Sequence, residues 1–127
     1  MLKIFAVGAG GFLGAILRYL ISLIPVNETL AFPIKTFVIN VIGCIAIGTI
    51  AVVSAKNSLL SPYALLFLKV GLCGGFTTFS TFALETTELL KAGHVVVAFT
   101  YVLLSVLVGV GVIFAVEYVS CFITKGA

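Results

Sequence analysis

Residues 36 to 43 place one strongly polar side chain on the face of an otherwise apolar segment. Thr36, Asn40 and Gly43 follow one another at spacings of four and three residues, which puts them on the same side of a helix. The carboxamide of Asn40 carries two N–H donors and one acceptor, so it can donate hydrogen bonds to an anion. A hydrogen bond between two helices is the alternative use of this side chain.

A pair of phenylalanines three residues apart, Phe79 and Phe82, offers a second kind of anion contact. An aromatic ring has a negative face and a positive edge, so ring edges attract an anion without carrying a full positive charge. The chain contains 11 phenylalanines, and packing or contact with lipid is the alternative explanation for this pair.

Two further polar features lie in apolar segments. Tyr101, Ser105 and Gly109 recur every four residues, so their hydroxyl groups line one helix face that suits either a polar path or ordinary packing. Arg18 lies near the end of the first apolar segment. A charge inside such a segment usually faces a cavity or a partner, although a long side chain can also extend to the lipid headgroups.

The region from Gly71 to Phe82 combines adjacent glycines, Gly74 and Gly75, with the hydroxyl residues that follow them. This composition weakens a helix near its middle. Non-helical backbone inside a membrane is tolerated only where it is buried in protein or lines a water-filled cavity, and broken helices are where transporters place ion sites. A kink for close packing is the alternative, but the density of Gly, Thr and Ser favours an ion site.

The elements that position these residues follow from composition. Of the 127 residues, 62% are hydrophobic and 9% are charged, whereas soluble domains carry about 25% charged residues. Lipid is therefore the solvent for most of the chain. A spanning helix needs about 20 mostly apolar residues. The sequence predicts one all-α integral membrane domain, 1–127, in the cell membrane, whose third helix is broken at the midplane and whose spans cover residues 4–24, 33–55, 62–90 and 95–121.

Several classes of function are excluded by what the sequence lacks. The lysines and arginine are scattered, so no basic patch is available for nucleic acid. The three cysteines, Cys44, Cys73 and Cys121, show no metal-ligand spacing and are interpreted as small buried apolar residues. No nucleophile–base pair or phosphate loop occurs, so we expect no enzymatic activity.

The charges between the spans predict the topology. Short connectors make neighbouring helices antiparallel and bring both termini to one side. That side holds Lys3, Lys56, Lys69 and Lys125, and the other holds Arg18, Lys35 and Lys91. Four cations against three give almost no positive-inside bias. A chain of this kind can insert in both orientations, which predicts an antiparallel homodimer of dual topology.

Three blocks of the sequence resemble signatures of the Fluc family of fluoride channels, also called CrcB. The first is Gly10-Gly11-x-x-Gly14-Ala15-x-x-Arg18-Tyr19, the second is Thr36-x-x-x-Asn40-x-x-Gly43, and the third runs from Gly71 through Gly74-Gly75-Phe76-Thr77-Thr78-Phe79-Ser80-Thr81-Phe82. Lys35 replaces the glycine that usually begins the second block. The resemblance covers essentially the whole chain, including the number of spans.

The resemblance implies a passive fluoride channel that exports fluoride from the cytoplasm through an antiparallel, dual-topology homodimer. Asn40 would be the pore-lining donor, and Phe79 and Phe82 the ring-edge contacts. The remaining implied positions are a polar track of Thr36, Tyr101 and Ser105, a vestibule residue Arg18, and backbone carbonyls of Gly74 and Thr77 for a structural sodium ion at the dimer interface. Some relatives carry serine at the position of Gly109, so the track is one hydroxyl shorter here.

Two other functions are compatible with four spans. A proton-coupled small multidrug transporter is also a four-span dual-topology dimer, but it needs a titratable carboxylate deep in a span, typically the first. The first span has no Asp or Glu. A non-transporting membrane subunit would account for the glycine packing and would leave the broken third helix unexplained.

Overall fold

The computed structural model of the chain describes residues 1–26, 31–56 and 60–125, and it is helical with no strand in these ranges. Helix α1 is Leu2–Ser22, α2 is Ile34–Lys56, α4 is Phe79–Lys91 and α5 is Val95–Lys125. Helix α3, residues 62–76, is composite, with α-helical Pro62–Leu65, π-helical Leu66–Cys73 and α-helical Gly74–Phe76. Asn57 and Ser58, the polar residues that come after the predicted second span, 33–55, lie outside the described residues.

The prediction of four helical segments apolar enough to span a membrane is confirmed. The described residues contain four helical segments long and apolar enough to cross a membrane, which are Leu2–Ser22, Ile34–Ala55, Pro62–Lys91 and Val95–Phe122. The third of these joins α3 to α4. Their ends differ from the predicted spans by a few residues, because apolar composition does not mark where the last helical turn ends.

The helix ends follow local sequence rules. Ser61 caps α3, since its hydroxyl accepts a hydrogen bond from Ala64 N–H at 3.2 Å and Pro62 occupies the first helical position. Helix α4 ends at Lys91, and Gly93, two residues further along the chain, has a φ of +82°. The His94 N–H then donates to the Leu89 carbonyl at 2.9 Å and the Gly93 N–H to the Leu90 carbonyl at 3.1 Å. This glycine-dependent turn reverses the chain between α4 and α5.

Small residues bring α1 against α3 at backbone contact distance. A Cβ atom at Gly14 would lie 2.8 Å from the Phe76 nitrogen, and one at Gly75 would lie 2.5 Å from the Gly11 carbonyl oxygen. Gly10 and Gly71 face each other in the same way. Close approach of this type is how helices associate in lipid, where no hydrophobic effect drives them together. The contact fixes the end of α3 against α1.

The core that positions α4 and α5 is small and aromatic. Leu89, Ala98 and Tyr101 are buried together, and Phe82 is among the partly buried residues that pack against them. The rings of Phe82 and Tyr101 lie 4.9 Å apart between centroids. Most other large apolar side chains of the described residues are exposed, as expected for helices whose outer surface faces lipid or another copy of the chain.

Candidate functional site: a broken helix between two cavities

The third span is interrupted at Thr77 and Thr78, both of which have extended backbone. In a continuous helix, the Thr78 N–H would bond the Gly74 carbonyl and the Thr81 N–H would bond the Thr77 carbonyl. Here the Thr78 N–H donates to Asn40 Oδ1 at 2.9 Å, and the Thr81 N–H donates to the Thr78 hydroxyl at 3.3 Å. The break therefore releases the carbonyls of Gly74 and Thr77 from their helical donors.

Asn40 holds the break from the neighbouring helix. Besides accepting from the Thr78 N–H, it donates from Nδ2 to the Thr78 carbonyl at 3.2 Å. The two bonds fix which end of the carboxamide carries nitrogen, because the backbone N–H needs an acceptor and the carbonyl needs a donor. The second N–H of Nδ2 makes no hydrogen bond among the described residues, and Asn40 lines a cavity.

The first cavity, which we call the Asn40 cavity, has a volume of about 400 Å³. Its wall contains both predicted ring-edge residues, Phe79 and Phe82, whose ring centroids are 5.8 Å apart. Ser105 also lines it, and the buried Ser105 Oγ has no hydrogen-bond partner among the described residues. The predicted sodium ligands, Gly74 and Thr77, lie on the same wall.

The second cavity, the Arg18 cavity, has a volume of about 410 Å³ and lies beside the N-terminal part of α2. Thr36, Thr78, Thr81 and Glu85 contribute polar groups to it. The Arg18 Nε is buried and has no hydrogen-bond partner among the described residues. Since Thr78 lines both cavities, the Asn40–Thr78 pair lies where they meet.

Glu85 is the polar residue whose position the sequence reasoning missed. The Thr36 hydroxyl donates to its Oε1 at 2.7 Å, and the Tyr101 hydroxyl donates to its Oε2 at 2.8 Å. Both hydroxyl hydrogens are thus committed to one carboxylate in this arrangement. The sequence does contain a signal for it, because Thr78, Thr81 and Glu85 follow at spacings of three and four residues and share a helix face.

The predicted polar track is therefore divided between different surroundings. Ser105 lines the Asn40 cavity and Thr36 the Arg18 cavity, while Tyr101 is fully buried and lines neither. Tyr101 meets the Arg18 cavity only through Glu85. At Gly109, an added Cβ would lie 3.4 Å from Cys44 Sγ, so a larger residue there would press on the wall of the Asn40 cavity.

A metal site built from side chains is not present in the described part of the chain, since no group of three or more His, Cys, Asp or Glu residues converges there. The oxygen atoms released at the break are backbone carbonyls, which suit a hard cation such as sodium. The donor set at Gly74 and Thr77 is thus chemically compatible with the sodium ion that the sequence resemblance implies.

Replacing Asn40 tests its role at the break. Asn40→Ala removes both bonds to Thr78 and should lower the free energy of unfolding by about 1–3 kcal/mol, the usual cost of an unsatisfied buried polar group. Asn40→Asp should destabilise as well, because a carboxylate can accept from the Thr78 N–H and cannot donate to the Thr78 carbonyl.

Thermal unfolding in detergent is the measurement, and Thr49→Ala on the same helix is the control. The Thr49 hydroxyl only donates to the Ile45 carbonyl of its own helix at 2.8 Å, so its loss should cost little. Equal melting temperatures for Asn40→Ala and Thr49→Ala would show that the break does not depend on Asn40.

Comparison with known proteins gives a consistent result over most of the chain. Residues 5–117 match the family model described as CrcB-like protein, Camphor Resistance (CrcB). A protein of Flavobacterium psychrophilum is 44% identical over 111 residues, which cover 86% of this chain and 89% of that protein. One of Prosthecochloris aestuarii is 45% identical over 106 residues, covering 84% and 83% respectively.

A third relative, from Azobacteroides pseudotrichonymphae, is 42% identical over 108 residues, or 84% of this chain and 86% of its own. All three relatives bear the name fluoride-specific ion channel FluC. The family model matches most of the chain, and these relatives are more than 40% identical over most of both chains, so the chain belongs to the CrcB family.

Proposed function

We infer that the chain is a fluoride-selective passive channel of the cell membrane, through which fluoride leaves the cytoplasm. The observation that carries this inference is a pair of buried donors, Ser105 Oγ and Arg18 Nε, that have no partner among the described residues. Their two residues line two cavities that share Thr78. Buried polar atoms normally have partners, so such donors favour a ligand that accepts hydrogen bonds. Relatives that match most of the chain are named for fluoride.

Selectivity for fluoride follows from the kind of donors that line the Asn40 cavity. Fluoride is small and tightly hydrated, so its water must be replaced by well-placed donors. The free N–H of Asn40, the Ser105 hydroxyl and the edges of Phe79 and Phe82 can supply these contacts. None of them carries a full charge, and conduction requires binding that is weak enough to release the ion.

Passive flow distinguishes this proposal from proton-coupled transport. Helix α1 contains no carboxylate, although Glu85 is a titratable group inside the third span. Its two oxygens already accept hydrogen bonds from Thr36 and Tyr101. The Glu85 carboxylate therefore holds the hydroxyl groups of Thr36 and Tyr101 in position beside the Arg18 cavity.

A second copy of the chain completes the proposed channel. The Asn40 cavity is bounded on one side by residues that are open to the outside in a single chain, since Phe79 is 79% exposed and a Cβ at Gly74 would touch nothing within 4 Å. Lipid cannot satisfy polar groups such as Asn40 and Ser105. The near-even distribution of cations supports a partner inserted in the opposite orientation, as an antiparallel homodimer.

A structural sodium ion belongs to the same proposal. The carbonyls of Gly74 and Thr77 are free of their helical donors because the N–H groups of Thr78 and Thr81 bond elsewhere. Both residues line the face that the second copy would cover. Sodium bound there would neutralise the negative ends of these carbonyls where two broken helices meet.

Ring-edge contacts predict a specific effect on flux. Phe79→Ile and Phe82→Ile keep an apolar side chain and remove the positive edge, so each should slow fluoride efflux about 2- to 10-fold, the range for one aromatic contact. The measurement is efflux from fluoride-loaded liposomes with a potassium ionophore that carries the compensating charge. Wild type should pass fluoride, exclude chloride and need no proton gradient.

Phe114→Ile is the matched control, because Phe114 is 67% exposed and lines neither cavity. Its efflux should equal that of wild type. Wild-type flux through both Phe79→Ile and Phe82→Ile would mean that the ring edges are not ligands of the ion. Efflux that requires a proton gradient would favour the multidrug-transporter alternative.

Insertion of the two copies in opposite orientations leads to a further prediction. Two or three lysines added beside Lys56 should force one orientation, because cation bias sets topology, and the biased form alone should lose most of its fluoride efflux. Lysines added beside Gly93 should force the opposite orientation with the same loss. Co-expression of the two forms should restore efflux, whereas full activity from either form alone would refute the antiparallel dimer.

The sodium proposal is tested by a high-resolution map of the dimer. Spherical density is expected on the twofold axis, with the backbone oxygens of Gly74 and Thr77 from both copies as its neighbours. Carbonyls turned away from the axis, or density explained by water, would remove the ion from the proposal without affecting the pathway through the Asn40 cavity.

A further inference from the structure

Lys69 is the one charged residue among the described residues that line the Asn40 cavity. It interrupts the apolar π-helix Leu66–Cys73, about two turns before the break at Thr77. A charged side chain inside a span is costly and usually faces a water-filled cavity or a partner. Stretches of π-helical backbone are rare, and those that occur are frequently found at functional sites.

Among the described residues that line the cavity, no side chain would neutralise this charge. No carboxylate lines the Asn40 cavity in the part of the chain that the structure describes, since Glu85 lies against the Arg18 cavity. Ser105, whose buried Oγ has no partner among the described residues, lines the same cavity as Lys69. A cation and a free donor that line one cavity are a combination that attracts an anion.

We propose that Lys69 is an anion-attracting residue at the entrance of the Asn40 cavity, which raises the local fluoride concentration and thereby the rate of conduction. This role rests on the proposed channel function. The ammonium acts from a distance and the ion is dehydrated further inside, by Ser105 and Asn40. Lys69 therefore influences how fast fluoride enters, whereas discrimination against chloride depends on the uncharged donors.

The expected magnitude follows from electrostatics in a polar cleft. One unit charge about 10 Å from an ion changes its local concentration roughly twofold in bulk water, and the effect grows as the effective dielectric constant falls. An effect of about 2- to 10-fold on the entry rate is therefore expected at low ionic strength. It should largely disappear near 1 M salt, where the Debye length is about 3 Å.

Three substitutions separate charge from structure. Lys69→Gln removes the charge and should slow fluoride efflux about 2- to 10-fold at low ionic strength. Lys69→Arg should keep the wild-type rate, and Lys69→Glu should be slower than Lys69→Gln. The measurement is initial fluoride efflux from liposomes at several fluoride concentrations, in low salt and in about 1 M of an impermeant electrolyte. Exclusion of chloride should be unchanged in all three.

Lys91→Gln is the matched control, because Lys91 is an exposed lysine in the last turn of the same span and lines none of the cavities described. It should conduct like wild type. Equal losses in Lys69→Gln and Lys91→Gln would overturn the proposal in favour of a general surface-charge effect. A wild-type rate for Lys69→Gln at low ionic strength would also overturn it.

Two other outcomes separate this role from its alternatives. A loss in Lys69→Gln that persists in high salt and accompanies a lower melting temperature would assign Lys69 a structural role and overturn the proposal. The absence of fluoride efflux from wild type itself would overturn the channel function, and the role of Lys69 with it. Slower efflux of Lys69→Gln restricted to low salt, with unchanged melting, is the expected result.

Discussion

The paired hydrogen bonds between Asn40 and the backbone of Thr78 are the interaction on which the rest of the site depends. Broken backbone inside a membrane leaves N–H and C=O groups that lipid cannot satisfy, and one side chain supplies both an acceptor and a donor at 2.9 and 3.2 Å. Without this side chain, a continuous helix would satisfy more backbone hydrogen bonds in the third span than the broken one does. The carbonyls of Gly74 and Thr77 would then bond again within the helix, and the wall shared by the two cavities would change.

Glycine packing fixes the part of the break that Asn40 does not reach. Gly14 and Gly75 allow α1 and α3 to approach at backbone distance, so close packing holds the end of α3 against α1. On the other side, Phe82 packs against the buried Tyr101, which anchors the first turns of α4 to α5. The break is thus held by contacts from three helices.

The helical class and the four spans could be predicted from the sequence because apolar residues in runs of about 20 admit few alternatives. The break was predictable as well, since adjacent glycines followed by Thr77 and Thr78 disfavour a continuous helix. The bond from Asn40 to Thr78 was not, because it joins residues 38 positions apart and local spacing contains no information about which helices become neighbours. Glu85 was missed for the same reason, as both of its hydroxyl donors come from other helices. The π-helix has no recognisable pattern in a segment that is apolar except for Lys69.

The interruption at Thr77 and Thr78 also has an electrostatic consequence. Each peptide unit is a small dipole, and a helix sums them to about half a positive charge at its N-terminus and half a negative charge at its C-terminus. The break brings the C-terminus of α3 and the N-terminus of α4 to within two residues of each other. One end favours a cation and the other an anion, so a single interrupted span creates adjacent regions of opposite potential. Charges of both signs can then be stabilised close together inside the membrane without any ionised side chain at the point of the break.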